Sequence, residues 1–280
     1  MSINTDSIEK LFHKFTLYSQ VEAIALGGSR AGDSYDETSD YDVYVYCTEQ
    51  IPEEQRIDLL AQFCSVMEIG NHFWEYEDNC TLKNNIDIDI IYRNLDAFLD
   101  GISDVVFNHQ AHNGYTTCMW HNLKTCKIIY DRDGRLTDAK NKYSVPYPFE
   151  LKNNIIMRNM QLLRHSLPAY EHQIAKAGKR NDLVSLNHRT TEFMASYFDI
   201  IFALNEKTHP GEKRLVELCL KDCAVLPRCF EQNITLLFRD LFTNPERIGE
   251  DLNQLITELE RILPATSPHT PQTSENARNE

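Results

Sequence analysis

The spacing of hydrophobic residues divides the chain into two parts of different texture. Up to about residue 146, short apolar runs alternate with amphipathic segments. Ile8, Leu11, Phe12 and Phe15 recur at the spacing of one helix face, and the runs VEAIAL and YDVYVYC are typical of buried strands. Strands that alternate with helices in this way predict an α/β or α+β sheet domain.

The remaining patterns extend this layout along the chain. They predict a helix in PEEQRIDLLAQFCSVM, strands in HFWEYE and NNIDIDIIYRN, and a helix in LDAFLDGISDVVFNH. From residue 147 onward the periodicity is helical throughout, interrupted by helix-ending prolines and glycines. The last segment, PATSPHTPQTSENARNE, has almost no apolar residues and predicts disorder. We therefore expect an α+β protein with a sheet domain over 1–146, an all-helical domain over 147–263 and a disordered tail over 264–280.

Composition narrows the classes of function. The 280 residues carry a net charge of −14, from 28 basic and 42 acidic side chains. Proteins that bind nucleic acid rely on clustered Lys and Arg, so this balance argues against a nucleic acid partner and is compatible with a small or cationic one.

No apolar run reaches the roughly 18–20 residues that span a bilayer, and the N-terminus lacks the layout of a secretory signal. We expect no membrane partner and a cytoplasmic location. The eight cysteines include no Cys-x-x-Cys pair and predict free thiols.

Two glycines and a serine follow the first predicted strand. Gly27 and Gly28 lack a Cβ, so the backbone can turn sharply and a ligand can come close to it. If a helix begins at Ser29, its first amides and the positive end of its dipole favour an anion such as phosphate. Ser29 adds a hydroxyl and Arg30 adds a positive charge. By itself, such a triplet is usually a loop.

A pair of carboxylates follows this turn. Asp40 and Asp42 lie two residues apart in or beside a predicted strand, so they project from the same face about 7 Å apart. Two carboxylates on one face repel each other unless a cation lies between them, and Mg²⁺ suits carboxylates and phosphate oxygens together. A phosphate cradle beside paired carboxylates indicates phosphoryl or nucleotidyl transfer.

The combined motif, Gly-Gly-Ser and then Asp-x-Asp after eleven residues, resembles the signature of the DNA polymerase beta-like nucleotidyltransferase superfamily. The resemblance is closest to the bacterial branch that includes kanamycin, streptomycin and lincosamide nucleotidyltransferases. It implies a small mixed-sheet catalytic domain, with Gly27, Gly28, Ser29 and Arg30 at a nucleoside triphosphate. It also implies that Asp40 and Asp42 bind magnesium.

The superfamily has a third carboxylate on a later strand, and the segment IDIDIIYR offers two. Asp87 and Asp89 alternate with isoleucines and face the same way, so strand parity cannot choose between them. Aspartate is disfavoured in strands, although a solvated edge strand tolerates it. The segment DIIYR resembles the pattern of close relatives, which favours Asp89 as third metal ligand or as the base that takes the acceptor proton. Asp87 is then a candidate for substrate contact.

The helical part also resembles the substrate-binding domain of the same branch. The segment NEKTHPGEK matches a recurring Asn-x-x-x-x-x-Pro-x-x-Lys pattern and implies a phosphate contact for Lys213. Candidates for contact with the substrate are Asn187, His188, Glu192 and Asn205. Glu192 and Lys213 are also compatible with a solvated helix face, and His188 with an ordinary structural role.

These observations predict a magnesium-dependent enzyme that transfers NMP from an NTP, with ATP favoured, to a hydroxyl acceptor and releases pyrophosphate. The acidic chain favours a cationic acceptor such as an aminoglycoside or another small molecule. Two alternatives stay open: a toxin that nucleotidylates tRNA or protein, and a catalytically retired nucleotide-binding regulator. The sequence does not identify the acceptor or the oligomeric state.

Overall fold

The computed structural model describes residues 3–32 and 39–264. Eleven α-helices and six β-strands occur in these ranges. The strands are β1 Val21–Leu26, β2 Tyr41–Cys47, β3 Cys64–Asn71, β4 Glu77–Leu82, β5 Asp87–Arg93 and β6 Lys127–Asp131. Except for Pro264, the predicted disordered tail lies outside the described residues.

The helices fall into two groups, and the first group accompanies the sheet. It consists of α1 Ile3–Phe15, α2 Glu53–Leu60, α3 Leu95–Val106, α4 Cys118–Thr125 and α5 Arg135–Lys142. The second group follows it in the chain and consists of α6 Phe149–Met160, α7 Tyr170–Lys179, α8 Leu183–Leu204, α9 Leu215–Asp222, α10 Phe230–Thr243 and α11 Ile248–Glu260. The predicted order, a sheet region and then a helical region, is confirmed.

The six strands form one mixed sheet in the order β3-β4-β5-β2-β1-β6. β2 and β5 are parallel neighbours at its centre, and the other neighbours are antiparallel. β1 and β2, which flank the glycine turn, lie next to each other. The sheet therefore brings the glycine turn, the end of β2 that carries Asp42 and the end of β5 that carries Asp89 to one region.

The two faces of the sheet are covered by different helices. One face packs Ile24, Val43, Val45 and Ile88 against α1 and α2. The other face packs Tyr44 and Tyr46 with the core residues of α3, α4 and α5, and residues of α6 and α8 join the same cluster. The second helical group thus packs against the face from which Tyr44 projects, and Asp42 and Tyr44 share that face because they lie two residues apart.

Some predicted elements differ from the structure. The predicted helix over 52–67 ends at Leu60, and its last four residues, Cys64 to Met67, belong to β3. The predicted strand HFWEYE is mostly the connection between β3 and β4, which begins only at Glu77. β3 alternates exposed and half-buried positions at the sheet edge, so it lacks the apolar run that marks a central strand. The pattern also gave no prediction for α4, β6 and α5.

The long helix α8 organises the helical region. Its residues from Phe193 to Ala203 are buried, and they pack with α6, α7, α10 and α11 around one apolar core. All eight cysteines lie within the described residues as free thiols, six of them buried. Among the helices of the described ranges, none has the length and hydropathy needed to cross a membrane.

Candidate active site

The two glycines lie directly against strand β2. Gly28 adopts φ 56° and ψ −149°, a conformation that side-chain-bearing residues rarely adopt. A Cβ on Gly28 would overlap the Asp42 carboxylate, and a Cβ on Gly27 would overlap the Tyr44 ring, whose hydroxyl would lie 2.9 Å away. The Gly27 amide donates a 2.8 Å hydrogen bond to the Asp42 carbonyl. Both glycines are needed because the turn contacts the functional face of β2 itself.

The segment after the glycines is shorter than expected. Ser29–Ala31 form a single 3-10 turn, so the helix that the sequence suggested at Ser29 is absent. The Ala31 amide donates to the Gly28 carbonyl and the Gly32 amide to the Ser29 carbonyl, each at 3.3 Å. Any phosphate contact at this turn therefore depends on local amides and the Ser29 hydroxyl, without the dipole of a long helix.

Arg30 connects the two ends of the segment between the glycine turn and β2. Its Nε donates to the Ser39 carbonyl at 2.7 Å and to the Asp40 carbonyl at 3.0 Å, and its Nη2 also donates to Ser39. The guanidinium lies 3.8 Å from the centre of the Tyr41 ring. The side chain predicted to contact nucleotide thus holds Asp40 close to the turn through its backbone.

The parallel pairing of β2 and β5 places Asp42 directly opposite Asp89. Neighbouring strands lie about 4.8 Å apart, so paired residues project side by side from the same face. Asp42 and Asp89 are both half-buried, and Asp87, two residues earlier on β5, is exposed. The register therefore separates the two aspartates that strand parity could not, and it brings Asp89 to Asp42.

Charged neighbours act on the Asp42 carboxyl. Burial raises its pKa, and the negative charges of Asp40 and Asp89 raise it further. Lys213, from the loop before α9, opposes them and lowers the pKa of the same carboxyl, and Glu212 acts in the raising direction. The helical region thus contributes a cation, Lys213, to the electrostatic environment of the sheet carboxylates.

Hydrogen bonds also distinguish the two carboxylates of β5. The Asn79 amide donates to Asp89 Oδ1 at 2.8 Å, which orients the half-buried carboxylate. Thr81 Oγ1 donates to Asp87 Oδ1 at 2.8 Å near the end of the strand, where both side chains are solvated. Both donors come from β4, the antiparallel neighbour of β5.

The donor set around Asp42 suits a hard cation such as magnesium. Asp40, Asp42 and Asp89 supply carboxylate oxygens only, and the mutual repulsion at Asp42 is the kind that a bound cation relieves. Within residues 3–32 and 39–264, however, no three Asp, Glu, His or Cys side chains converge closely enough to hold a metal ion in the arrangement described. The chemistry of the donors fits magnesium, and their side chains would have to turn toward one point to bind it.

The loop that carries Lys213 is fixed to the sheet domain through His209. Its backbone amide donates to Thr117 Oγ1 at 2.8 Å, and its Nδ1 accepts from the Gly211 amide at 3.2 Å. The fully buried ring packs against Tyr115 and Phe202, with ring centroids 4.8 and 4.9 Å away. This anchor limits how far Lys213 can move from Asp42.

The other predicted residues of the helical region are distributed differently. Asn187 and His188 are exposed near the start of α8, and Glu192 is half-buried one turn later. Glu192 lies close enough to Tyr115 for its charge to raise the pKa of that phenol, together with burial and Glu212. Asn205 uses its amide on the Ile201 and Val225 backbones, with bonds of 2.8 to 2.9 Å, a structural use that the sequence did not predict.

Three further residues near the site were missed at the sequence level. The Arg93 guanidinium lies 4.2 Å from the centre of the Tyr44 ring, and it makes a two-bond ion pair with Glu75 at 2.5 and 2.7 Å. Tyr44 follows Asp42 by two positions and Arg93 follows Asp89 by four, so strand parity already placed both on the site face. Nothing in the sequence linked Glu75 to them.

Two family models match parts of the chain. Residues 9–98 match the family model described as polymerase beta nucleotidyltransferase, a range that includes the glycine turn, Asp40, Asp42, Asp87 and Asp89. Residues 9–98 are therefore similar to polymerase beta-type nucleotidyltransferase domains, as the motif predicted. The assignment supports an enzyme of the nucleotidyltransferase class. Residues 116–215 match a second model, described as a domain of unknown function, DUF4037, which begins ahead of the predicted boundary at 146 and 147 and ends just after Lys213.

Several solved structures are similar to the chain at low identity. A nucleotidyltransferase-like protein from Exiguobacterium sibiricum is 12% identical, with a TM-score of 0.41 over 92% of this chain and 73% of that one. An aminoglycoside 6-adenyltransferase from Bacillus subtilis is 9% identical, with a TM-score of 0.27 over 92% of both chains. A CCA-adding enzyme in complex with ATP is 15% identical, with a TM-score of 0.30 over 95% and 65%. No curated protein matches the chain significantly.

Proposed function

We propose that the protein is a cytoplasmic, magnesium-dependent nucleotidyltransferase that transfers NMP from an NTP, with ATP favoured, to a hydroxyl group of a small acceptor and releases pyrophosphate. The observation that carries the proposal is the pairing of Asp42 with Asp89 on adjacent parallel strands, beside a glycine turn that lies directly against Asp42 and Tyr44 of the same face. Like charges that are brought together and half-buried have no stabilising use of their own.

Each residue has a distinct role in this proposal. Gly27 and Gly28 let the triphosphate approach the backbone, and the Ser29 hydroxyl contacts it. Lys213 supplies positive charge to the phosphates from the helical side, where its effect on Asp42 already places it within electrostatic reach. Asp40, Asp42 and Asp89 would hold magnesium, which when bound neutralises charge on the phosphates and stabilises the departing pyrophosphate.

Asp89 has a second proposed role in the transfer itself. Its Oδ1 is oriented by Asn79, and it lies beside Asp42 on the face that the helical region covers. A carboxylate in that position can accept the proton of the attacking acceptor hydroxyl as the new bond to the α-phosphorus forms. The proton then resides on a carboxylate oxygen of Asp89 while pyrophosphate leaves.

The proposal is tested by incubating the purified protein with each of the four labelled NTPs and Mg²⁺ across a panel of hydroxyl-bearing small molecules. We expect labelled NMP to appear on an acceptor with one pyrophosphate released per transfer, and both products to be absent with Asp42→Asn. Tight binding of Mg²⁺-ATP without transfer to any acceptor would favour the retired nucleotide-binding alternative, and transfer to tRNA or protein would favour the toxin alternative.

A further inference from the structure

A cavity of about 440 Å³ lies between α3 and α4, with Arg93 of β5 in its lining. One wall is a stripe of α3 that includes Phe98, Gly101, Ile102 and Val105. These positions recur at the spacing of one helix face, so Gly101 lies in the middle of the wall. The opposite wall comes from the loop before α4 and from α4 itself. The cavity is large enough for a small organic molecule.

Two side chains, Arg93 and Tyr44, lie between the cavity and the glycine turn. Arg93 lines the cavity and lies over the Tyr44 ring, and Tyr44 contacts the glycine turn through its ring. Arg93 and Asp89 project from the same face of β5, four residues and about 13 Å apart. A molecule that fills the cavity therefore lies on the site face, on the far side of Tyr44 from the glycine turn. The charge of Glu212 acts both on Tyr115 in the cavity wall and on Asp42.

The lining of the cavity is mostly apolar, and its polar groups favour a ligand that donates hydrogen bonds. Arg93 already donates to Glu75 and to Asn122, whereas Glu75 is about one-third exposed and has carboxylate capacity left for a ligand. Met119 and Tyr115 are 45% and 38% exposed, so both offer apolar surface to a ligand in the cavity.

The surrounding charge is negative. Burial and the charge of Glu212 raise the pKa of the Cys118 thiol at the start of α4. Arg93 lowers the pKa of this thiol, and Asp199 and Glu75 raise it. Glu192 and Glu212 also act on Tyr115, which lines the cavity. Arg93 is the cation among the cavity-lining residues and is neutralised by Glu75. An anionic ligand would meet repulsion here, and a cation would be attracted.

We propose that this cavity is the acceptor subsite, and that the acceptor is a small molecule with an aromatic or other apolar body, a cationic amine and the hydroxyl that becomes nucleotidylated. The apolar body packs against α3 and Met119, and the amine approaches Glu75. The role of the ligand as acceptor rests on the proposed function, whereas the chemistry of the ligand rests on the cavity alone.

The test uses three probes that differ in one feature each. 2-Amino-1-phenylethanol carries the apolar body, the amine and the hydroxyl; mandelate replaces the aminomethyl group by a carboxylate; ethanolamine lacks the phenyl ring. The chain has two tryptophans, of which Trp74 is 89% exposed and Trp120 lines the cavity. A Trp74→Phe background therefore makes the fluorescence of Trp120 a direct report of occupancy.

We expect the amino alcohol to bind at least about tenfold more tightly than mandelate or ethanolamine, a difference of about 1.4 kcal/mol. Gly101→Leu should abolish the signal, because an added side chain at Gly101 enters space free of other atoms. Gly101→Ala is the matched control and should keep it. Glu75→Gln should remove the preference over mandelate. Equal binding of mandelate, absence of amino alcohol binding, or full binding by Gly101→Leu would overturn the proposal.

A second measurement separates an acceptor subsite from a nucleotide subsite. The amino alcohol is titrated in the presence of saturating Mg²⁺ and a non-hydrolysable α,β-methylene ATP. Retained binding is expected, and competition between the two ligands would overturn the acceptor assignment. If the amino alcohol binds in the cavity but the protein transfers nothing from any NTP, the proposed function fails while the ligand site stands. If the protein transfers NMP but does not bind the amino alcohol, the ligand site fails while the proposed function stands.

Discussion

Asp42 and Asp78 are both aspartates of the central sheet, and they meet opposite neighbours. Asp78, on β4, is fully buried; its carboxylate pairs with the buried Arg56 guanidinium and accepts from the Gly70 amide at 2.9 Å and the Tyr92 hydroxyl at 2.8 Å. Asp42 is half-buried beside Asp89, and burial and neighbouring acids raise its pKa. The first carboxylate is compensated by the fold, and the second is left for a ligand to compensate.

The difference teaches how a structural acid and a functional acid can be told apart in one sheet. A buried charge that serves stability needs an opposite charge and hydrogen bonds to its remaining lone pairs. Asp78 has both. A carboxylate that faces other carboxylates destabilises the folded state, so its presence indicates chemistry.

Asp42→Asn should reduce transfer by at least about 1000-fold, equivalent to about 4 kcal/mol of transition-state stabilisation, because it removes a proposed magnesium ligand. The melting temperature should stay the same or rise, because one repelling charge has been removed. Pyrophosphate release at saturating Mg²⁺ and a thermal melt give the two readings. Retention of more than about a tenth of the wild-type rate would make the ligand assignment wrong.

Asp78→Asn should show the reverse pattern. It leaves the Arg56 guanidinium buried without its carboxylate, which should lower the free energy of unfolding by about 3–5 kcal/mol. Transfer by the fraction that remains folded should change little. Urea denaturation measures the first effect, and the double variant Arg56→Met with Asp78→Leu is the control, which should recover part of the loss. A loss of activity without a loss of stability would place Asp78 in the site instead.

Asp199 on α8 is a third aspartate, and it shows the effect of burial on a carboxyl whose hydrogen-bond donors are neutral. It accepts from the Thr116 amide and hydroxyl at 3.1 and 2.6 Å and from the Asn159 amide at 3.2 Å. Burial raises its pKa to about 6, and these neutral donors offset only part of that shift.

Because the folded state holds the Asp199 proton more tightly than the unfolded state, its contribution to stability is present below the unfolded pKa, about 4, and is lost as pH rises through about 6. Two pKa units correspond to about 3 kcal/mol. The difference in unfolding free energy between wild type and Asp199→Asn should therefore shift by about that amount between pH 4 and pH 7, against the wild type. A pH-independent difference would show that the carboxyl titrates normally.

The smallest expected effect is that of Ser29→Ala. One hydroxyl contact contributes about 1 kcal/mol, so the Kd for Mg²⁺-ATP should rise about fivefold, with little change in the rate of bound chemistry. Titration calorimetry measures the first quantity and single-turnover kinetics the second. Unchanged affinity would remove Ser29 from the triphosphate site and leave the carboxylate site untouched.

The sequence predicted the central strands well because β1, β2 and β5 carry apolar runs or strict alternation. It failed at the edge of the sheet, where β3 alternates weakly and Cys64 to Met67 fit a helical pattern equally well. It also suggested a helix after Gly28, because a glycine turn after a strand is compatible with either a helix or the short 3-10 turn that the structure has. The local spacing of apolar residues does not reveal which half-buried segments will pair as strands in the folded sheet.

Part of the candidate site was within reach of the sequence, and part required the register. Spacing placed Asp40 and Asp42 on one face of their strand, and parity placed Asp87 and Asp89 together on one face of theirs. Only the pairing of parallel strands shows that Asp89 lies opposite Asp42. The proximity of Lys213 and the pair of Glu75 with Arg93 involve residues far apart in the chain, and no local pattern predicts such contacts.

The central claim, that Asp42 and Asp89 form one catalytic site, is tested most directly by the matched variants Asp89→Ala and Asp87→Ala. Both are assayed for pyrophosphate release with Mg²⁺ and for NTP binding. We expect Asp89→Ala to abolish transfer and still bind NTP, and Asp87→Ala to stay within about threefold of the wild-type rate, about 0.7 kcal/mol. An inactive Asp87→Ala beside an active Asp89→Ala would contradict the register assignment, and two fully active variants would contradict the three-carboxylate site itself.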